Sequence, residues 1–290
     1  MKILVTGGKG QLAYELIRLT KDKKFSHHEI YSPSKEELNI SDFIRVAQVF
    51  ENFRPDIVIN TAAYTQVDRA QTEIDCAFAT NFHGAKNLAI VCKEFNCALI
   101  HLSTDYIFDG SNKQSYIETD PVAPLNIYGE SKWQGEEYIS RYCNKYIILR
   151  VSAVFGSHGN NFVKTILKLA KERDNLSIVA DQVTCPTPAA DIARILLLLC
   201  DNPQWGIFNY CGAPATNWYQ FAEHIIKEAS QYDTFEIKKL NNILTCEYPT
   251  PAKRPLYSVL NCQKFKTTFG IEQPSWELGL KNVIRELYSA

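Results

Sequence analysis

The first thirteen residues constrain the fold of this chain most strongly. Residues 3–5 are Ile-Leu-Val, a short apolar run of the kind that a parallel sheet buries. The run leads into Gly7-x-x-Gly10-x-x-Ala13 and then into an apolar pattern typical of a helix, which continues to Leu19. Strand, glycine turn and helix form the setting of a dinucleotide-binding turn. We therefore expect Gly7 to make the turn, Gly10 to let the backbone approach a pyrophosphate, and Ala13 to let the helix pack on the strand.

Strand and helix patterns alternate through the rest of the first half. The predicted elements are a strand at Glu29–Ser32, a helix at Phe43–Phe53, a strand at Ile57–Asn60, helices around Cys76–Phe95, a strand at Ala98–Leu102, a helix that carries Tyr128 and Lys132, and a strand at Tyr146–Val151. This order predicts an α/β fold, a Rossmann-type doubly wound parallel sheet. Ligands of such sheets bind at the carboxyl ends of the strands.

The alternation weakens from about Ser157 onward, where prolines interrupt shorter elements. The pattern predicts two domains: an NAD(P)-binding Rossmann domain over residues 1–155, and a smaller domain over residues 156–290. Some segments of the second half are expected to return to the Rossmann sheet.

Tyr128 and Lys132 are four residues apart, which places them on one face of a helix. A nearby ammonium favours the phenolate, so we expect Lys132 to lower the pKa of Tyr128 towards the working range of an acid–base catalyst. Thr104 lies 24 residues before Tyr128, and its hydroxyl is expected to help polarise a substrate carbonyl. A Tyr-x-x-x-Lys pair alone is a weak signal, because many such pairs only line a solvated helix face.

Bulk properties exclude several classes of function. The net charge is −1 and the pI is about 6.6, which gives no electrostatic case for nucleic acid or an anionic membrane. The longest apolar stretch, Ile195 to Cys200, is too short to span a bilayer. No segment at the start resembles a signal peptide, so a cytoplasmic location is expected. Nine cysteines without a C-x-x-C pattern predict reduced core thiols, and no metal cluster is evident.

Five longer motifs resemble one enzyme family along nearly the whole chain. They are Arg54-Pro-Asp-Ile-Val-Ile-Asn-Thr-Ala-Ala-Tyr-Thr-Gln-Val-Asp68, Ser103-Thr-Asp-Tyr-Ile-Phe-Asp-Gly110, Pro124-Leu-Asn-Ile-Tyr-Gly-Glu-Ser-Lys132, Gly159-Asn-Asn-Phe162 and Pro249-Thr-Pro-Ala-Lys-Arg-Pro255. Together with the glycine turn, they resemble the extended short-chain dehydrogenase/reductase superfamily and, within it, the dTDP-4-dehydrorhamnose reductases. The resemblance implies reduction of the 4-keto group of a dTDP-sugar, and it implies that the smaller domain binds the sugar nucleotide.

The resemblance also assigns roles to single residues. Tyr128 would donate the proton, Lys132 would lower its pKa and hold the nicotinamide ribose, and Thr104 would assist at the carbonyl. The residues that match the cofactor site are Gly7, Gly10, Gln11, Leu12, Asn39, Ile40, Ala62, Ala63, Tyr64, Thr65, Leu102, Tyr128 and Lys132. The residues that match the substrate site, or would contact the nucleotide diphosphate, are Thr104, Asp105, Ala153 and Arg254.

Three departures from the family pattern affect the details. Asn39 stands where the family usually has aspartate, and Ala153 stands where it usually has a tryptophan that packs on the sugar. Some members are described as dimers bridged by magnesium. Glu15 matches one acidic position of that bridge, but Ala190 and the terminal Ala290 do not match the others. A homodimer is therefore left open, and no metal site is predicted.

The cofactor and the reaction leave alternatives. The end of the second strand reads Tyr31-Ser-Pro-Ser-Lys35, without the acid that NAD-selective sites use, so NADPH is expected, with NADH tolerated. A related 4-ketoreductase acting on another nucleotide sugar is one alternative. A 4,6-dehydratase is disfavoured, because Tyr106 occupies the position of its second acid. A non-catalytic regulatory subunit, resembling that of methionine adenosyltransferase, is disfavoured by the intact Tyr128 and Lys132.

Overall fold

In a computed structural model of the protein, which describes residues 1–289, a parallel sheet lies between two layers of helices. The strands are β1 Lys2–Thr6, β2 Glu29–Tyr31, β3 Ile57–Asn60, β4 Ala98–Thr104, β5 Tyr146–Val151, β6 Val154–Phe155, β7 Asn175–Val179, β8 Val183–Thr184, β9 Thr187–Pro188, β10 Gly206–Asn209, β11 Thr216–Asn217 and β12 Lys239–Ile243. The helices are α1 Gln11–Leu19, α2 Phe43–Phe53, α3 Val67–Ala70, α4 Ile74–Phe78, α5 Ala85–Glu94, α6 Ile127–Tyr142, α7 Phe162–Glu172, α8 Ala189–Asp201, α9 Trp218–Ala229, α10 Gln263–Phe269 and α11 Trp276–Tyr288.

The central sheet has six strands in the order β10-β5-β4-β3-β1-β2, all parallel. This confirms the predicted Rossmann-type α/β fold. From β1, the chain adds β2 on one side, and it then adds β3, β4 and β5 in turn on the other side. The direction in which strands are added therefore reverses at β1. Ligands bind at such a reversal, outside the carboxyl ends of the strands.

Alternation of side chains along the strands separates two cores. Leu4 and Leu99 face a cluster formed with α2, α5 and α6, whereas Ile3 and Ile100 face a cluster formed with α1 and α8. Because both faces of the sheet are covered, the strands read as continuous apolar runs rather than as alternating patterns. This explains why short apolar runs located these strands in the sequence.

Most predicted boundaries of the first half agree with the structure. The helix at Phe43–Phe53 begins after the cap Asp42, whose carboxylate accepts the backbone N–H of Arg45 at 3.1 Å. The second strand stops one residue earlier than predicted, and the fourth continues two residues further, to Thr104. The predicted helices around Cys76–Phe95 are α4, a turn of π-helix at residues 79–84, and α5.

The second half forms a separate cluster of smaller elements and also completes the first sheet. Phe155, Phe221 and Trp276 form the centre of an apolar core among α7, α9 and α11. β10 pairs with β5 at the edge of the central sheet, and α8 packs beside α1. All nine cysteines are free thiols, and seven of them are buried, whereas Cys76 and Cys246 are exposed. Within residues 1–289, no helix is long and apolar enough to cross a bilayer.

Candidate active site

A cavity of about 590 Å³ opens at the carboxyl ends of the central strands. It begins at the glycine turn after β1 and runs to Tyr128 and Lys132 on α6. All thirteen residues that the sequence assigned to the cofactor line this cavity, namely Gly7, Gly10, Gln11, Leu12, Asn39, Ile40, Ala62, Ala63, Tyr64, Thr65, Leu102, Tyr128 and Lys132. The four residues assigned to the substrate, Thr104, Asp105, Ala153 and Arg254, are not among the lining residues.

The glycine turn has the geometry that a bound pyrophosphate needs. Gly7 has φ +77°, and a Cβ there would come within 3.0 Å of the backbone of Ala62. Gly10 precedes α1 and provides no side-chain cap, so the free N–H groups of the first turn face the cavity. The hydroxyls of Ser32 and Ser103 are buried without a hydrogen-bond partner, and Ser103 also lines the cavity. These features fit a dinucleotide, which would place its phosphates on the N-terminus of α1.

Packing of α6 fixes the position of Tyr128. The helix begins at Asn126, whose side-chain oxygen accepts the N–H of Gly129 at 2.9 Å. A Cβ on Gly129 would lie 2.1 Å from the carbonyl oxygen of Tyr106, so only glycine allows this approach of α6 to the segment after β4. The rings of Tyr106 and Tyr128 then meet edge to face, with centroids 6.0 Å apart.

Asn81, on the π-helical turn, connects α6 to the loop after β3. Its amide nitrogen donates to Ser131 Oγ at 3.0 Å and to the carbonyl oxygen of Tyr64 at 3.1 Å. Its amide oxygen accepts the N–H of Tyr64 at 2.8 Å. The phenol of Tyr64 in turn donates to Glu73 at 2.6 Å. The wall of the cavity opposite the glycine turn is therefore held by a continuous set of hydrogen bonds.

Lys132 is 2 % exposed, and its side chain contacts residues of β4. Its Nζ donates to the carbonyl oxygen of Leu102 at 2.5 Å and lies 3.2 Å from His101 Nε2. Burial lowers the pKa of Lys132 to about 8, while the nearby carboxylate of Glu136 opposes that shift. Burial, with a smaller contribution from Lys132, also lowers the pKa of His101 well below its usual range, so the imidazole is neutral.

Tyr128 differs from the expectation based on its spacing from Lys132. Burial raises the pKa of Tyr128 to about 12, and the hydrogen bond with Thr104 only partly offsets the increase. The prediction that Lys132 lowers this pKa was wrong, because loss of hydration dominates and the ammonium is directed to Leu102 and His101. A phenol with a raised pKa keeps its proton at neutral pH, as a proton donor requires.

Thr104 and Asp105 lie behind the cavity at the end of β4. The Thr104 hydroxyl accepts the N–H of Tyr106 at 3.1 Å and donates to Asp105 Oδ1 at 3.2 Å. Ser152 donates to Asp105 Oδ2 at 2.8 Å. Burial raises the pKa of Asp105 to about 6, although hydrogen bonds from Ser258, Ser152 and Thr104 oppose the shift. Thr104 is therefore next to Tyr128, whereas Asp105 is held inside the protein by other side chains.

The structure gives Arg254 a partner of its own. Its guanidinium binds both carboxylate oxygens of Asp68, at 3.0 and 2.7 Å, and also Thr250 Oγ1 at 2.7 Å. A bidentate pair of this kind is geometrically specific. Arg254 therefore ties the proline-rich C-terminal segment to α3, and its predicted contact with a diphosphate stays a prediction.

Ala153 lies between two residues of the cavity wall, Val151 and Val154. Its φ is +43°, a conformation that residues other than glycine rarely adopt, and its carbonyl oxygen accepts the N–H of Thr187 at 3.2 Å. Backbone strain of this kind is concentrated at functional sites. The backbone at Ala153 is therefore held in an unusual conformation beside two residues of the cavity wall.

Sequence reasoning missed several residues of the cavity. These residues are Lys9, Lys35, Leu38, Thr61, Thr80, Ser103, Val151, Val154, Gly159 and Asn160. Gly159 and Asn160 come from the second half of the chain and reach the glycine turn through Gln11, whose side-chain oxygen accepts from Asn161 Nδ2 at 2.8 Å. Their motif, Gly159-Asn-Asn-Phe162, was the available signal. For Lys35, the sequence indicated a preference for NADPH but no position in the cavity.

A dinucleotide-binding turn that leads to a Tyr/Lys pair on α6 defines an NAD(P)-dependent oxidoreductase of the short-chain dehydrogenase/reductase class. Sequence comparison matches residues 1–289 to the family described as the RmlD substrate binding domain. The chain belongs to this family.

Relatives and solved structures cover the whole chain. The dTDP-4-dehydrorhamnose reductase of Aggregatibacter actinomycetemcomitans is 40% identical over 289 residues, which are 97% of this chain and 98% of the relative. A crystal structure of a dTDP-4-dehydrorhamnose reductase from Clostridium acetobutylicum superposes with a TM-score of 0.93 at 36% identity, covering 99% of both chains. The enzyme from Bacillus anthracis, solved in complex with NADP, gives a TM-score of 0.91 at 35% identity, covering 98% of this chain and 99% of that one.

Proposed function

We propose that this chain is a dTDP-4-dehydrorhamnose reductase, which uses NADPH to reduce the 4-keto group of dTDP-6-deoxy-L-lyxo-4-hexulose and so forms dTDP-L-rhamnose. The observation that carries the proposal is the position of Tyr128 and Lys132 at the inner end of a dinucleotide cavity, in a chain similar over its full length to reductases of that name.

The residues divide the work of the reaction. When bound, NADPH supplies a hydride to C4 of the sugar. Tyr128, protonated at neutral pH, donates its proton to the C4 oxygen, and this balances the reduction of the carbonyl to an alcohol. The Thr104 hydroxyl stabilises the phenol in position, and Lys132 supplies a positive charge on the same helix face.

Two lysines support the choice of NADPH. Lys9 and Lys35 both line the cavity near Asn39, on the side where the adenosine half of the cofactor would lie. No acid follows β2 directly, since residues 32–35 are Ser-Pro-Ser-Lys. A 2′-phosphate favours such positive charge, whereas an NAD-selective site presents a carboxylate to the 2′-hydroxyl. Lys9 is paired with Glu36 at 3.0 Å, so Lys35 is the stronger candidate for the phosphate.

The sugar nucleotide would enter from the side of the second half of the chain. Thr104 contacts Tyr128, Asp105 is bonded to Thr104, and Arg254 joins the C-terminal segment to α3, which supports this direction of entry. We therefore keep the division into a cofactor domain over residues 1–155 and a mainly substrate-binding domain over residues 156–290. Because β10, from the second half of the chain, pairs with β5 in the central sheet, these two domains are defined by function and not by a single boundary in the sequence.

The direct test is turnover with the named substrate. Purified protein, NADPH and dTDP-6-deoxy-L-lyxo-4-hexulose should give stoichiometric NADPH oxidation, and the product should co-migrate with dTDP-L-rhamnose. If NADPH is oxidised only with a different nucleotide 4-keto sugar, the protein is a reductase with another substrate. No oxidation with any of them would support a non-catalytic role instead.

Two further parts of the proposal concern the setting of the enzyme. We propose that it works in the cytoplasm and that it forms a homodimer. Light scattering of the purified protein at several concentrations measures the second property, and a single mass equal to one chain would contradict it. Fractionation of source cells measures the first.

A further inference from the structure

A cluster of two histidines and one aspartate lies far from the cavity. His27 Nε2 is 2.9 Å from Asp201 Oδ1, and His28 Nε2 is 3.2 Å from the same oxygen. Within the described residues 1–289, these side chains form the one group of three or more possible metal ligands with all ligand atoms within 4.8 Å of one another. The sequence separates Asp201 from the histidines by more than 170 residues, so only the fold reveals the group.

His28 is the informative member of this cluster. Its side chain is 0 % exposed, and neither of its ring nitrogens has a hydrogen-bond partner. A buried polar group without a partner is costly and calls for an explanation. His28 Nε2 lies within ion-pair distance of Asp201 Oδ1, so this nitrogen is directed at the cluster, whereas Nδ1 is buried without a partner.

The two nitrogen–oxygen distances in the cluster suit a small transition-metal ion. Zinc binds imidazole nitrogen and carboxylate oxygen at about 2.0–2.2 Å in a tetrahedral arrangement, so neighbouring ligand atoms lie about 3.3 Å apart. The two nitrogen–oxygen distances, 2.9 and 3.2 Å, are close to that value. We propose that His27, His28 and Asp201 form a binding site for one Zn²⁺-like ion, with a water molecule as the fourth ligand.

The ligand atoms of the cluster favour zinc over magnesium and calcium. Two imidazoles and one carboxylate suit zinc and its neighbours in the first transition series. Magnesium and calcium prefer all-oxygen ligands, so the site should not retain them. The site is thus different in kind from a magnesium site built on carboxylates.

The place of the cluster in the fold indicates a structural role. His28 directly precedes β2, and Asp201 ends α8. Because all strands of the sheet are parallel, the start of β2 lies at the amino edge of the sheet, opposite the cavity. A metal ion there would join the loop between α1 and β2 to the end of α8, which packs on α1. Metal binding would then stabilise the folded protein without taking part in turnover.

Calorimetric titration of the whole protein with ZnCl₂ tests the proposal. The protein should carry no polyhistidine tag, and exposed Cys76 and Cys246 should be replaced by serine, since thiolates also bind zinc. We expect one Zn²⁺ per chain and a rise in Tm on binding. His27→Ala and Asp201→Asn should each weaken binding about tenfold or more, because each removes one of three ligands. His224→Ala, at a histidine 4.0 Å from a single acid, should leave it unchanged.

Cobalt provides an independent measurement of the ligand set. Co²⁺ in the same site should give the intense visible bands of tetrahedral coordination by nitrogen and oxygen, and His28→Phe, which fills the buried volume, should abolish them. Absence of 1:1 binding would overturn the proposal. So would binding that persists in His27→Ala and Asp201→Asn. Turnover should be equal with and without zinc, so failure here is independent of the proposed reductase activity.

Discussion

The side-chain nitrogen of Lys132 lies 3.2 Å from Nε2 of His101, and both side chains are buried inside the sheet. The strand register sets the position of His101, because it aligns Thr6 with Asn60 and Asn60 with His101. His101 Nδ1 is 2.9 Å from Asn60 Nδ2, and Asn60 Oδ1 accepts from Thr6 Oγ1 at 2.6 Å. A neutral His101 has one acceptor nitrogen, so it can accept either from the Asn60 amide through Nδ1 or from the Lys132 ammonium through Nε2.

This contact predicts the alkaline limb of the pH profile. Lys132 is charged below its pKa of about 8 and loses the charge as the pH rises, so kcat/KM should fall through that range. His101→Leu replaces a polar neighbour of the ammonium by an apolar one, which disfavours the charged form and should move the midpoint to lower pH. The exposed His83→Leu is the control and should leave the midpoint in place. An unmoved midpoint in His101→Leu would show that the contact does not set the charge of Lys132.

Tyr128→Phe tests the proton donor. The change removes the hydroxyl and keeps the ring beside Tyr106, so binding of NADPH should be retained. Loss of a general acid should lower kcat by about a hundred- to ten-thousandfold. Steady-state kinetics and a cofactor titration measure the two quantities separately. A Phe variant that keeps more than about half of the wild-type kcat would refute the role of Tyr128.

Lys35→Ala tests cofactor choice. The variant should raise the KM for NADPH and leave that for NADH nearly unchanged, because only NADPH carries the 2′-phosphate. An exposed lysine outside the cavity, Lys227, provides the matched control as Lys227→Ala. Equal changes with the two cofactors would mean that Lys35 does not contact the phosphate.

Two neighbouring glutamates allow a paired test of stability. Glu136 makes a buried ion pair with Arg150 at 2.8 Å, whereas Glu137 pairs with Arg141 on the surface of α6. Glu136→Gln leaves the Arg150 charge buried without its partner, and the free energy of unfolding should fall by about 3–5 kcal/mol. Glu137→Gln should cost about 0.5 kcal/mol or less. Urea denaturation measures both, and similar losses in the two variants would contradict the account.

Ala153→Trp tests the substrate side of the cavity. The residue is flanked in sequence by Val151 and Val154 of the cavity wall, and on the proposed function an aromatic ring there would pack on the sugar. Aromatic contacts contribute about 0.5–1.5 kcal/mol beyond area burial, so binding of dTDP-rhamnose should tighten up to about tenfold. Calorimetry measures the change. Loss of binding would indicate that another side chain already fills this space, or that the natural sugar is bulkier.

The fold could be predicted from the sequence because its strands are buried on both faces. Continuous apolar runs marked the strands of the first half within one or two residues. The π-helical turn at residues 79–84 had no such marker, since it depends on contacts between Asn81 and α6. Nor could local patterns show that β10 completes the central sheet, because strand pairing over this distance depends on tertiary packing.

The site was predictable where a short sequence motif carries it. The glycine turn and the Tyr128/Lys132 pair belong to such motifs, and all the assigned cofactor residues line the cavity. The sign of the pKa shift at Tyr128 was not predictable, because it depends on how completely the phenol is buried and on where the Lys132 ammonium is directed. The bond between Arg254 and Asp68 joins residues 186 positions apart and also required the structure.

Transfer of deuterium from NADPH that carries deuterium at both hydrogen positions of C4 tests the central claim most directly. The wild-type protein should place one deuterium on C4 of the rhamnose ring, which NMR of the purified product detects. Tyr128→Phe should place far less in the same time, because the hydride has no proton to accompany it. Deuterium at another carbon of the sugar, or a product without deuterium, would contradict a direct reduction of the 4-keto group in this cavity.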